Sequence, residues 1–205
     1  MKKITVFSVV FVSLFMFLSQ VSWAEISPES IVAVWLFDEG NGKTAYDSTG
    51  KGHDGTIDGA TWENGQSEFF HPSQLQLGKA LEFDGTGGVS SIKDPELANK
   101  SFTVAAWVKR NRISKSEWII TQGTSSKNRG LHFGFRSNNR FTFAFYGNDL
   151  DVPTDLQITR DVTDWHHWVG TYNHDTGERK IYVDGEEEAT DNGGPYQGSG
   201  SLNIG

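Results

Sequence analysis

Two aspartates, Asp38 and Asp47, flank a glycine-rich bend within Trp35–Gly55, where glycines stand at 40, 42, 50, 52 and 55. Glycine admits positive φ and sharp reversals. The bend can therefore draw carboxylates and main-chain carbonyls together, and an all-oxygen cluster suits a hard cation such as calcium. The same side chains are equally suited to accept hydrogen bonds from turn amides, as Asx turns do. Asp54 and Asp84 are further candidates for either role.

Aromatic rings offer a second chemistry. Trp118, Tyr146, Trp62 and Tyr196 fall near strand ends or in expected loops. A flat ring there can stack on the apolar face of a sugar, and Asn128, Arg129, Asn148 and Asp149 are polar neighbours able to hold hydroxyls. Loops carry binding residues disproportionately, whereas most aromatic side chains fill cores. The candidate ligand-binding set is Trp118, Tyr146, Asn148 and Tyr196.

Catalytic patterns are thin. Glycoside hydrolysis needs two carboxyl groups facing one bond, and Glu82-Phe83-Asp84 places two acids on one strand face before Gly85, Thr86 and Gly87 interrupt the pattern. Glu186 to Glu188 follows a turn and reads as a solvated face. His166 and His167 are adjacent in a strand, which sends their rings to opposite faces. His53, His71, His132 and His174 lack zinc-ligand spacing. Cysteine, a G-x-S-x-G elbow and a phosphate-cradling loop are missing from the sequence. No catalytic residue is assigned, and the chain reads as a non-enzyme.

The elements that position these groups are strands. Residues 102–110 (FTVAAWVKR) alternate, with Phe102, Val104, Ala106 and Val108 on one face and Thr103, Ala105, Trp107 and Lys109 on the other. Residues 140–146 (RFTFAFY) put Phe141, Phe143 and Phe145 on one face, with Thr142, Ala144 and Tyr146 opposite. Such period-two patterns mark half-buried strands. Residues 165–172 and 179–183 form another pair around the turn composition of residues 173–178, and Asp184-Gly185 opens a second tight turn. No segment carries sustained helical periodicity. With 23 glycines, 14 phenylalanines and 7 tryptophans, the composition predicts an all-β sandwich or jelly roll.

The N-terminus bears on location. Lys2 and Lys3 precede an apolar run from Ile4 to Leu18, and Ser22-Trp23-Ala24 supplies small residues for cleavage. This is the pattern of a secretory signal peptide over residues 1–24. The run is short for a bilayer span, which takes roughly 20 residues, although a membrane anchor is the other reading of the same pattern. Cleavage would leave a linker at 25–30 and a domain at 31–205, and would move the formal charge from −8 to −10. Acidic surface suits cations or neutral sugars and disfavours nucleic acid, whose phosphates demand basic groups.

Four blocks carry a family resemblance. Residues 77–85 (LGKALEFDG), 102–109 (FTVAAWVK), 165–172 (WHHWVGTY) and 181–185 (IYVDG) occur in order. Together with the opening W-x-x-D-E-G-x-G segment, they resemble the laminin-G-like (concanavalin A-like lectin/glucanase) jelly-roll domains. The resemblance implies a β-sandwich of two antiparallel sheets over residues 31–205. It also implies a structural calcium near Asp38 and Asp47, with the backbone around Gly50 to His53 completing the shell. Members usually continue beyond a strand like Ser201–Gly205 into a closing strand, which implies that a sandwich ending at Gly205 is incomplete. The expected function is an exported, non-catalytic module recognising a carbohydrate or a cell-surface or matrix ligand. Two alternatives stand beside it: an accessory domain of a larger secreted polysaccharide-degrading enzyme, and a protein-binding adhesion module.

Overall fold

Period-two alternation becomes two antiparallel sheets in the computed structural model, which describes residues 26–65, 78–152 and 164–205. The strands are β1 (Thr44–Ala45), β2 (Gly55–Asn64), β3 (Lys79–Ile92), β4 (Phe102–Val108), β5 (Glu117–Gly123), β6 (Gly130–Phe135), β7 (Phe141–Ala144), β8 (Asp149–Asp151), β9 (His166–Tyr172), β10 (Glu178–Val183), β11 (Glu186–Asn192) and β12 (Leu202–Ile204). The larger sheet runs β1-β2-β3-β12-β5-β6-β7-β8, and the smaller one runs β11-β10-β9-β4. This is a jelly-roll β-sandwich, as the composition and the four blocks predict. The signal segment expected over 1–24 and His71 lie outside the described residues.

The core forms where the inward stripes of both sheets meet. Val104 of β4, Trp168 and Tyr172 of β9, and Ile181 and Val183 of β10 are buried from one side. Leu131, Phe133 and Phe135 of β6 and Phe141 and Phe143 of β7, with Phe145 just beyond it, are buried from the other. Trp168 stacks on Phe141 at 4.0 Å. Gly170 of β9 lies under Phe143, where an added Cβ would come within 3.0 Å of the ring. Burying one such side chain contributes about 1.5–3 kcal/mol, so the five on β6 and β7 together with Phe145 supply a large share of the core's stabilisation. Thr142 and Ala144 are also fully buried, which differs from the half-exposed strand expected there. β7 lies between β6 and β8, and the outward side of Thr142 is covered by Arg136.

Side-chain hydrogen bonds fix β12 between β3 and β5. Gln122 of β5 donates to Asp94 and to the Gly200 carbonyl, while the Gly200 amide donates to Asp94 at 2.7 Å. Tyr196 closes the network by donating its hydroxyl to Gln122 at 2.8 Å. Tyr196 is fully buried, packed against Phe102 and Phe145. Its expected role as a sugar-stacking ring is therefore corrected: the Gly-rich segment around it folds over the end of the sandwich and turns the ring inward. Burial pushes the Tyr196 hydroxyl far above the usual phenol range. Trp62 is likewise packed on the core, with its indole N–H bonded to the Gly42 carbonyl.

Candidate functional site

A β-bulge creates the most distinctive surface. The β5–β6 register shifts between Trp118 and Ile120, so that Trp118 stands opposite Gly134 and Thr121 opposite His132. A bulge reverses the side-chain alternation locally. Counting back from buried Ile120 by strict alternation sends Trp118 into the core; the extra residue sends it to the outer face instead. Gly134 leaves room for it, since an added Cβ would come within 2.9 Å of the Trp118 Cα. The Trp118 and His132 rings lie 4.8 Å apart, and Tyr146 adds a third ring 6.0 Å beyond His132.

Tyr146 reaches this face through an unusual turn. It sits at φ 47° and Gly147 at φ 67°, with the Phe145 amide bonded to the Asn148 carbonyl. Two positive φ values mark a type I′ hairpin turn, which favours Asn or Gly at the first of these positions. A bulky residue there is strained. The strain is held by a buried network. Arg179 of β10, fully buried, donates to the Asn148 carbonyl at 2.7 Å, to its Oδ1 at 3.1 Å and to the Phe143 carbonyl at 3.3 Å. Asp191 neutralises the guanidinium through two oxygens, at 2.5 and 3.0 Å. Asn148 Nδ2 donates to Asn128 Oδ1, and the Asn128 amide donates back to the Tyr146 carbonyl. Both ends of the Asn148 side chain are thus engaged by protein groups, so its role is to position Tyr146. The expectation of a direct sugar contact from Asn148 is corrected accordingly. Gly130 supplies the clearance, since a Cβ there would come within 3.2 Å of Tyr146 and 3.4 Å of His132.

Polar groups surround the rings. Cross-strand pairing aligns Asn203, Thr121, His132, Ala144 and Asp149 on one row. A depression of about 230 Å³ opens beside the rings, lined by Thr121, Thr124, Ser125, His132 and Asn203 among others. On the other side, Arg136 bonds Asp149 at 2.7 Å, Asp151 at 3.1 Å and the Thr142 hydroxyl at 3.4 Å. Burial holds the His132 imidazole below its ordinary value; the Gly130 backbone and the Asp149 charge oppose this, and Arg136 reinforces it. His132 is therefore neutral near pH 7. Its place between two rings is invisible in sequence, because only the β5–β6–β7 register brings it there.

The first loop turns on Asp47. Its Oδ1 accepts from the Val34 amide at 3.2 Å, the Thr49 amide at 3.0 Å and the Thr49 hydroxyl at 2.7 Å. Its Oδ2 faces the His53 amide and ring Nδ1, both at 3.2 Å. Burial alone would raise this carboxyl, but the Thr49 hydroxyl and amide and the Val34 and His53 amides outweigh it and hold the carboxyl well below the usual carboxylate range. These bonds leave Asp47 poorly suited to hold a cation. The His53 carbonyl accepts from the Trp35 indole at 2.9 Å, Gly50 caps the turn by donating to the Asp47 carbonyl, and Asp38 is exposed. The expected set of Asp38, Asp47, Gly50 and His53 does not fit a calcium shell built on Asp47. The same loop contains one buried carboxylate oxygen with no hydrogen-bond donor among the described residues, Glu39 Oε2, while Oε1 accepts from the Tyr46 amide at 2.8 Å.

The remaining candidates are dispersed. Asp84 accepts from the Thr86 amide and hydroxyl in an Asx turn, and Glu82 accepts from Asn111. His166 is buried against Asp184 at 2.7 Å, whereas His167 faces out and stacks on Trp107 at 5.1 Å. The two histidines point to opposite faces, as expected.

The model of the concanavalin A-like lectin/glucanases superfamily matches residues 83–205. Among solved structures, domain 4 of AbnA, a GH43 extracellular arabinanase from Geobacillus stearothermophilus in complex with arabinotriose, superposes with a TM-score of 0.56 at 20% identity, covering 84% of this chain and 90% of that one. A Trypanosoma rangeli sialidase in complex with 2,3-difluorosialic acid gives 0.55 at 18% identity and covers 83% of this chain, which spans only 26% of the sialidase. At these identities the likeness is one of fold. No curated protein matches the chain by sequence.

Proposed function

Because the chain belongs to the concanavalin A-like lectin/glucanase superfamily, whose model matches more than half of its length, we propose that it is a non-catalytic carbohydrate-recognition module. The sugar binds on the outer face of the larger sheet, at Trp118, His132 and Tyr146. The observation that carries this reading is the bulge that turns Trp118 out of the core to meet His132 at 4.8 Å, beside a depression lined by hydroxyl and amide side chains. Rings give apolar sugar faces a surface, and a few placed polar groups give orientation. The arabinotriose held by the arabinanase domain supports carbohydrate as the ligand class. Export through residues 1–24 is a further part of the proposal, and service as an accessory domain of a larger secreted polysaccharide-degrading enzyme is its alternative.

A structural calcium in the first loop is proposed at Glu39, whose Oε2 is buried without a donor among the described residues. Buried unsatisfied oxygens call for a partner, and calcium accepts carboxylate and carbonyl oxygens.

The test of the binding proposal is a glycan-array screen of the folded protein, repeated with Trp118→Ala and Trp107→Ala. Binding that is lost in the first variant and kept in the second supports the outer face of the larger sheet. Loss in Trp107→Ala alone would move the site to the smaller sheet, where Trp107 is 49% exposed.

A further inference from the structure

We infer that the ligand of this face is a neutral sugar, and that the site discriminates against sugars carrying a carboxylate. The inference rests on the carbohydrate-binding reading above and adds the chemical class. Recognition of a sugar acid is strengthened most by a cationic donor, commonly an arginine fork, aimed at the carboxylate. Among the described residues, the side chains that line the depression are hydroxyls, amides, the His132 imidazole and the aliphatic Leu131, with no cationic group.

The guanidinium beside His132 among the described residues is already committed. Arg136 is bound to Asp149 and Asp151 together, and the Thr142 hydroxyl takes a further contact. That cluster holds one positive and two negative charges, so it repels a carboxylate brought beside His132. Lys127 and Arg129 sit on the β5–β6 loop, yet neither lines the depression. His132 faces Asp149 and Arg136 from β8 and the loop after β6, Trp118 from β5, and Tyr146 from the β7–β8 turn. Its ring is neutral near pH 7, so it donates or accepts one hydrogen bond without offering a charge. The formal charge of −8 acts in the same direction at longer range.

The depression is small beside the roughly 300–1,000 Å³ of sites that enclose drug-sized ligands. At about 230 Å³ it is on the scale of one sugar ring, and the His132 and Tyr146 rings extend the surface beside it. Neutral pentose or hexose oligosaccharides meet these requirements.

The experiment is calorimetric titration of the full chain with matched probes: galactotriose against trigalacturonate, and lactose against sialyllactose, with arabinotriose and xylotriose as further neutral probes. At least one neutral probe is expected to bind, with each acidic partner at least tenfold weaker than its neutral match. A Thr124→Arg variant, which places a cation at the depression, is expected to narrow the gap between each acidic probe and its neutral match by at least tenfold. Acidic probes that bind the unaltered chain as tightly as neutral ones would overturn the inference while leaving carbohydrate recognition standing. Failure of every probe and of the whole glycan array, with protein shown to be folded, would overturn both.

Discussion

Replacing Tyr146 with Asn separates binding from stability. Tyr146 occupies the first central position of a type I′ turn at φ 47°, a conformation that costs an ordinary residue about 1–2 kcal/mol and that Asn tolerates far better. The lost packing is small, since the ring is 41% exposed and meets His132 only at 6.0 Å. These two terms nearly cancel or favour Asn. With a shift of about 2–4 °C per kcal/mol for a domain of this size, Tm is expected to hold or rise by up to about 3 °C. Binding should move the other way. An exposure of 41% on an aromatic side chain of roughly 200 Å² leaves about 80 Å² for a sugar to cover. At about 25 cal/mol per Å², full cover is worth about 2 kcal/mol and half cover about 1 kcal/mol. The expected loss of affinity is therefore about 5- to 30-fold, read by calorimetric titration beside thermal melts of both proteins. A Tm fall of more than about 5 °C with unchanged affinity would refute the reasoning, because it would make the tyrosine a packing residue.

Asp47→Asn is expected to cost about 2 kcal/mol at neutral pH, the scale of a carboxylate whose folded pKa is well depressed. Its folded value lies below its unfolded one, so this stability is present above pH 4 and is lost as pH falls through the folded value; urea titrations against pH should show a shallower acid limb in the variant. Excess calcium over chelator should raise Tm in the unaltered chain and not in Glu39→Gln, and a Tm that ignores calcium in both would remove the proposed cation. Arg179→Met leaves Asp191 without its buried partner and should destabilise the chain in denaturant unfolding, by less than the roughly 3–5 kcal/mol of a fully buried pair because Asp191 is 32% exposed. The milder Asn148→Ala should weaken sugar binding in calorimetric titration, because it releases the turn that carries the ring.

Local patterns were legible in the sequence, and the features that depend on distant pairing were not. The alternation of residues 102–108 and the hairpin between β9 and β10 follow from neighbours in the chain, so period and turn composition suffice to place them. Trp118 was picked out as a ring near a strand end, but the direction of its side chain depends on a bulge that only the partner strand reveals. His132 gave no signal, because its two ring neighbours come from β5 and from the turn after β7. Tyr196 misled for the opposite reason: Gly193-Gly194-Pro195 around it has loop composition, while the long-range bond to Gln122 draws the ring into the core. In the first loop the sequence left Asp47 open as a cation ligand or as an acceptor for turn amides. The Thr49 hydroxyl and the Val34 and His53 amides make it a hydrogen-bond acceptor.

The most direct measurement is two-dimensional ¹⁵N NMR of the tryptophan indole N–H groups during titration with a neutral oligosaccharide found on the glycan array. Binding at the outer face of the larger sheet predicts that the Trp118 signal, assigned through Trp118→Phe, shifts with the ligand while that of Trp107 stays in place. Saturable binding that shifts Trp107 and leaves Trp118 unmoved would contradict the proposed site.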